Sequence, residues 1–172
     1  PALPRTTQDH VNESLAAARK QFLDYQRDVR QVSRHTLDGY GRDIQRFSNF
    51  CGEAGKQRPD AIQESDVRAW VAKLHREGLS PTSIQRSLSS VRALFRFLSE
   101  RDPSVGNPAL GVQAPKIRRN LPKTLDPDSV GTLFKWQPET TLDHRDMAMA
   151  ELLYSSGLRL AELVAANIGD LR

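Results

Sequence analysis

Apolar residues recur at spacings of three and four along most of this chain, and that periodicity constrains the fold more than any other feature. Val11, Leu15, Ala18, Phe22, Tyr25 and Val29 share one face of a helix. Leu37, Tyr40, Ile44, Phe47 and Phe50 do the same, and Gly52 and Gly55 are expected to stop that run. Ser65 is the expected cap of a third helix bearing Val67, Trp70, Val71 and Leu74 and closed by Gly78. Ser80-Pro81 sets a capping hydroxyl before a proline in the first turn, where the missing N–H costs nothing. Ile84, Leu88, Val91, Leu94, Phe95 and Leu98 then form the apolar face of a fourth helix. Four amphipathic helices with short connections predict a compact helical domain.

Pro103, Pro108, Pro115 and Pro122 interrupt the pattern, and Lys116, Arg118, Arg119 and Lys123 make the same stretch basic. This reads as a strap between domains. Asp126-Pro127 restarts helix by the cap-then-proline device. Met147, Ala150, Leu153 and Tyr154 line a further helix that Gly157 ends, and a last helix begins near Arg159. The expected organisation is a helical domain over residues 1–110, a linker over 111–125 and the start of a second domain over 126–172. There is no internal repeat and no low-complexity segment.

Charge is unevenly spread. Residues 79–123 hold 8 basic and 2 acidic side chains, whereas residues 124–172 hold 4 basic and 8 acidic ones. A localised polyanion site explains this, and so does a solvated basic helix and linker. The single cysteine, Cys51, leaves no disulfide framework, and no apolar run approaches the length that spans a bilayer. Pro1-Ala2-Leu3-Pro4-Arg5 opens no secretory signal, so the expected location is the cytoplasm. The four histidines and Cys51 lack metal-ligand spacing, and no Gly-rich phosphate loop is present; no cofactor and no metal are expected.

The run from Arg145 to Leu163 is the most informative. Gly157 is a helix C-cap, after which the chain turns at once into a new helix with Arg159 in its first turn. A cation there opposes the helix dipole. Beside exposed N–H groups, the same cation makes a phosphate site. Glu162 can cap the turn or hold the guanidinium, so a surface arginine tied to a carboxylate is the competing reading.

Gly157-Leu158-Arg159-Leu160-Ala161-Glu162-Leu163 resembles the first arginine box of the tyrosine recombinases. Other matches precede it in the family's order. Ser33-Arg34-His35-Thr36 with Tyr40, Asp43, Phe47 and Phe50 resembles the opening of the core-binding domain, and Leu79 to Arg92 resembles its DNA-facing fourth helix. Asn107-Pro108-Ala109, Ala114-Pro115-Lys116 and Leu121-Pro122-Lys123 resemble the inter-domain linker. That linker, followed by Thr124-Leu125-Asp126, is more similar to the XerC branch than to the XerD branch or the phage integrases.

The resemblance implies an all-α chain: a four-helix SAM-like core-binding domain, a basic linker, and the first helices of a mixed α/β catalytic domain. It implies a reaction in which a tyrosine attacks a phosphodiester, forms a 3′-phosphotyrosyl link and releases a 5′-hydroxyl, with no need of ATP or metal. Arg159 would be the first of the catalytic arginines, stabilising charge on the phosphorane, and Glu162 its support. The remaining catalytic groups of the family lie downstream of this arginine, and the chain stops 13 residues after it. No displaced copy is found. His10, His35, His75 and His144 are followed at the third position by Glu13, Asp38, Gly78 and Met147, never by arginine, and Tyr25, Tyr40 and Tyr154 lie on apolar helix faces where core packing is expected. The chain alone is therefore expected to bind DNA without cutting it.

Thr82, Gln85, Arg86, Ser89 and Arg92 on the fourth helix, with Arg42 and Arg46 on the second, are the candidate DNA contacts. Lys116, Arg118, Arg119 and Lys123 are expected to meet phosphates rather than bases. The implied partners are a duplex recombination site, a XerD-like recombinase in a heterotetramer on two DNA sites, and the FtsK translocase, in the resolution of chromosome dimers before cell division. Competing readings are a phage or transposon-type integrase, a non-catalytic DNA-binding protein complete at 172 residues, and a helical module whose basic stretch binds an acidic protein.

Overall fold

The computed structural model describes residues 14–116, 126–167 and 169. The chain divides into two units, residues 1–118 and 119–172. Val11, Arg118, Arg119 and Lys123 lie outside the described residues.

The first unit holds α1 (Leu15–Asp28), α2 (Arg34–Glu53), a single 3-10 turn (Pro59–Ala61), α3 (Glu64–Arg76) and α4 (Pro81–Ser99). Three of the four helices start on a serine hydroxyl: Ser14 accepts from the Ala17 N–H at 3.2 Å, Ser33 from Thr36 at 3.3 Å and Ser80 from Ser83 at 3.2 Å. The start of α3 differs from expectation. Its cap is Gln63, not Ser65, because the Asp66 carboxylate accepts the Gln63 N–H at 2.8 Å and is itself gripped by the Lys56 ammonium at 2.7 Å. Burial pushes the Asp66 carboxyl up, but that ammonium and the Gln63 N–H together hold it below the usual carboxylate range.

Two ends also differ. Helix α2 runs through Gly52 to Glu53, and the break comes at Gly55 with φ of 72°. Helix α1 ends at Asp28, so Val29 falls past the apolar face and is 66% exposed.

The apolar faces converge on one core. Phe22 meets Tyr40 and Phe97 edge-on at 5.2 and 5.5 Å, and Phe47 meets Trp70 at 5.0 Å. Every residue of the expected face of α4, from Ile84 to Leu98, is buried. Burying one such large side chain contributes about 1.5–3 kcal/mol.

The stretch after α4 is a strap sewn onto this core. Val105, Ala109 and Val112 are buried. The Arg92 guanidinium donates from Nε to the Ala109 carbonyl at 2.9 Å and from Nη2 to the Val112 carbonyl, while Asn107 Nδ2 donates to the Arg92 carbonyl at 3.0 Å. Residues 111 and 112, expected to begin a free linker, are thus fastened to the helical unit.

The second unit holds α5 (Pro127–Leu133), α6 (Thr141–Ser156) and α7 (Leu160–Ala165). Asp126 caps α5 by accepting the Ser129 N–H at 2.7 Å. Helix α6 opens on a reciprocal Thr140–Asp143 box and closes at Gly157, whose φ of 66° only glycine adopts freely and whose N–H reaches the Leu153 carbonyl at 3.0 Å. No described side chain of this unit is fully buried. Tyr154, expected to pack in a core, is 67% exposed: the described residues of this unit form no buried core around it, and its ring meets Phe134 at 5.5 Å.

Regular structure is helical throughout the described residues, with no strand among them. No described helix is long and apolar enough to cross a membrane.

Candidate nucleic-acid interface

Helices α2 and α4 present the polar surface where the candidate contacts gather. Facing one another across the sequence, they leave Thr82, Gln85, Arg86 and Ser89 exposed on α4, and Arg42 and Arg46 exposed on α2. Ser89 follows Thr82 by seven residues, close to two whole turns, so the two share a stripe flanked by Gln85 and Arg86.

The cations of the first unit divide by what holds them. Arg27, Lys56, Arg58, Arg68, Lys73 and Arg86 have carboxylate partners. Arg19, Arg92 and Arg101 donate to backbone carbonyls. Among the candidate contacts Arg42, Arg46 and Lys116 have neither, as is true of Lys20, Arg30, Arg34, Arg76 and Arg96 among the described residues, so their charge is uncompensated and available to a polyanion.

Arg86 is a special case. Its Nη1 meets Asp43 Oδ2 at 2.5 Å, and the Ser87 and Ser90 hydroxyls donate to the same carboxylate at 2.9 Å each. Asp43 is 4% exposed and Arg86 53%. A buried carboxylate therefore anchors one edge of a guanidinium whose other donors face out. Sequence reasoning gave Asp43 no such role. The available signal was an acid on the apolar face of α2, flanked by Tyr40, Ile44 and Phe47.

Arg92 is placed differently from the other α4 candidates. It is half-buried, and its guanidinium is spent on the strap carbonyls. The helical repeat does not separate it from the others, since it follows Gln85 by seven residues on the flank of the same stripe; the strap carbonyls packed against that flank do.

In the second unit, the turn at Gly157 delivers Arg159 to the N-cap of α7, one residue before the helix rather than within its first turn. Its backbone N–H donates to Glu162 Oε2 at 2.7 Å and its Nη1 to Oε1 at 3.0 Å. Glu162 thus both caps the turn and holds the guanidinium. The Arg159 side chain is 85% exposed, and a pair so wet is worth little in stability and is easily rearranged. Helix α7 has six residues, so its dipole is short and offers an anion little beyond the guanidinium itself. Among the described residues no three His, Cys, Asp or Glu side chains converge as metal ligands would.

The phage integrase N-terminal SAM-like domain matches residues 20–102, which covers α2 to α4 and most of α1. Tyrosine recombinase XerC of Azotobacter vinelandii is 42% identical over 151 residues, covering 87% of this chain and 50% of that protein. Tyrosine recombinase XerC of Pseudomonas aeruginosa is 42% identical over 148 residues, covering 86% and 49%. That of Actinobacillus pleuropneumoniae is 37% identical over 152 residues, covering 88% and 50%. The chain spans about half the length of these relatives. The chain thus carries a SAM-like helical unit of the phage integrase type and is similar, over most of its own length, to the tyrosine recombinases XerC.

Proposed function

We propose that the chain provides the DNA-binding domain, and the first arginine of the active site, of a site-specific recombinase that cuts and rejoins DNA strands. The observation that carries this reading is the α2–α4 surface. Arg86 stands on the buried Asp43 carboxylate, beside the uncompensated Arg42 and Arg46 and the exposed hydroxyl and amide groups of Thr82, Ser89 and Gln85. A helix so equipped fits a major groove, where bidentate donors read base edges and neighbouring cations meet phosphates. Lys116, Arg118, Arg119 and Lys123 extend the phosphate contacts along the linker. Arg92 contributes by holding the strap rather than by touching DNA.

In the reaction, a tyrosine oxygen of the complete enzyme forms a bond to the scissile phosphorus, and the bond to the 5′ oxygen breaks as that oxygen takes up a proton. Charge grows on the non-bridging oxygens in between. Arg159, with Glu162 fixing its turn, donates to those oxygens, and its planar fork matches them as an ammonium does not. The phosphodiester energy is kept in the phosphotyrosyl link, so rejoining needs no external energy source. The relatives are named tyrosine recombinase XerC. On that basis the partner is a XerD-like recombinase in a heterotetramer on two DNA sites. The role is resolution of chromosome dimers before cell division, in the cytoplasm and under control of the FtsK translocase.

Binding of duplex DNA by this chain tests the first half of the reading, and a covalent complex on a nicked suicide substrate, formed by the complete enzyme, tests the second. Affinity should fall steeply with salt, each neutralised phosphate adding about 0.9 to the log–log slope. A flat salt response would overturn DNA binding, and absence of a covalent complex would overturn recombination.

A further inference from the structure

The Thr82–Ser89 stripe of α4 does not end at Ser89. Arg96 follows Ser89 by seven residues and Thr82 by fourteen, close to two and four turns, and it is exposed with no carboxylate or carbonyl partner among the described residues. Arg96 lines a groove together with Tyr25, Gln26, Arg30, Tyr40 and Glu100. Arg30 is likewise exposed and has no side-chain partner among the described residues.

The groove is built rather than incidental. Its floor is rigid: Tyr40 packs edge-on against Phe22 at 5.2 Å, and Tyr25 lies 5.1 Å from Phe97 with the Arg101 guanidinium 5.0 Å from its ring. Its far wall is the turn after α1, where Gln31 adopts φ of 48°, a left-handed conformation that costs a non-glycine residue energy. The Arg30 and Val32 N–H groups hold that turn by donating to the Tyr25 and Gln26 carbonyls at 3.1 and 3.2 Å. The strained turn sets Arg30 across the groove from α4.

We propose that this groove grips a backbone phosphate of the bound duplex, outside the base pairs read by the N-terminal half of α4. The inference rests on the DNA-binding reading above. Geometry decides between phosphate and base. Arg86 and Arg96 are ten residues apart, about 15 Å along the helix axis. The major groove is about 12 Å wide. With Arg86 at base edges, Arg96 is carried to the rim, where the sugar–phosphate chain runs. Two guanidinium groups flanking one anion give short charge-assisted bonds, and the Tyr25 and Tyr40 rings supply a firm, partly apolar bed beneath them. Glu100 works against the anion and moderates the grip, which suits a contact that positions rather than specifies.

Arg30→Gln with Arg96→Gln removes both cations and no intramolecular bond, so thermal stability should not change. With a random-sequence duplex as probe, the magnitude of the salt slope should fall by about 0.9, the contribution of the one phosphate the groove grips. Glu100→Gln should tighten binding several-fold at low salt. Ethylation interference should reveal, for the unaltered chain, one or two outer phosphates whose modification stops mattering in the double variant. An unchanged slope and an unchanged interference pattern would overturn the groove's role while leaving DNA binding intact. Failure of the unaltered chain to bind any duplex would overturn both.

Discussion

Asp43 and Arg86 stand 43 residues apart in the sequence and meet at 2.5 Å, the carboxylate almost fully buried and the guanidinium half in solvent. The asymmetry gives the pair its meaning. A surface ion pair would contribute at most about 1 kcal/mol. Here the carboxylate sits inside the α2–α4 seam with two serine hydroxyls, so that Arg86 neutralises a buried charge and is itself fixed where α4 faces outward.

Arg86→Ala should therefore do two things at once. It should abolish discrimination between the recombination site and random duplex, and it should destabilise the helical unit by about 1–3 kcal/mol by leaving a buried carboxylate short of a donor. Asp43→Asn keeps the shape and a hydroxyl acceptor but frees the guanidinium, so it should weaken discrimination with little effect on random-duplex affinity. Combining the two should restore much of the stability lost in Arg86→Ala without restoring discrimination. Urea unfolding and competitive binding measure these separately, and a double variant no more stable than Arg86→Ala would refute the anchoring role.

Arg92 should behave in the opposite way. Its donors are spent on the Ala109 and Val112 carbonyls, 17 and 20 residues away. Arg92→Ala should cost about 1.5–3 kcal/mol, the range for hydrogen bonds to a charged group, and should expose the strap to proteolysis near residue 112. The salt slope of DNA binding should stay as it was. A slope lowered by about 0.9 would instead return Arg92 to the phosphate contacts.

Arg159→Lys, made in the complete enzyme, should leave site binding nearly intact and slow covalent complex formation by about 10²–10³-fold. The arginine touches one phosphate among many, so little ground-state affinity depends on it. What is lost is a paired donor aimed at charge that appears only in the transition state. Gel shift and a nicked suicide substrate on the same variant give the two readouts. Normal covalent complex formation would make Arg159 an ordinary surface arginine paired with Glu162.

Cys51 offers a probe of the helical core. Burial pushes its thiol up to about 12 from 9.0, with Asp66 adding to the rise and Lys56 opposing it. The folded pKa lies above the unfolded one, so the associated stability is complete below about pH 9 and is lost as pH climbs toward 12. Iodoacetamide at pH 8 should modify Cys51 only through unfolded molecules, with a rate that rises with urea. Labelling of the native chain at the rate of a free cysteine peptide would contradict this placement.

Local devices were legible in the sequence. The apolar faces of α1 to α4, the Ser80-Pro81 and Asp126-Pro127 starts and the Gly157 stop depend on residues within a turn or two of one another, and short-range backbone chemistry decides them. The stripe of Thr82, Gln85, Arg86 and Ser89 was legible for the same reason, since helical repeat alone sets it. The fate of each arginine was not. Arg86, Arg92 and Arg96 occupy one helix within eleven residues and look alike in the sequence, yet one rests on a buried carboxylate, one is tied to strap carbonyls and one faces a groove with Arg30. The start of α3 moved from Ser65 to Gln63 because Lys56, ten residues from Asp66, holds the capping carboxylate. A guanidinium takes whichever acceptor packing brings within reach, and only the tertiary fold brings Asp43, Ala109 and Val112 to α4.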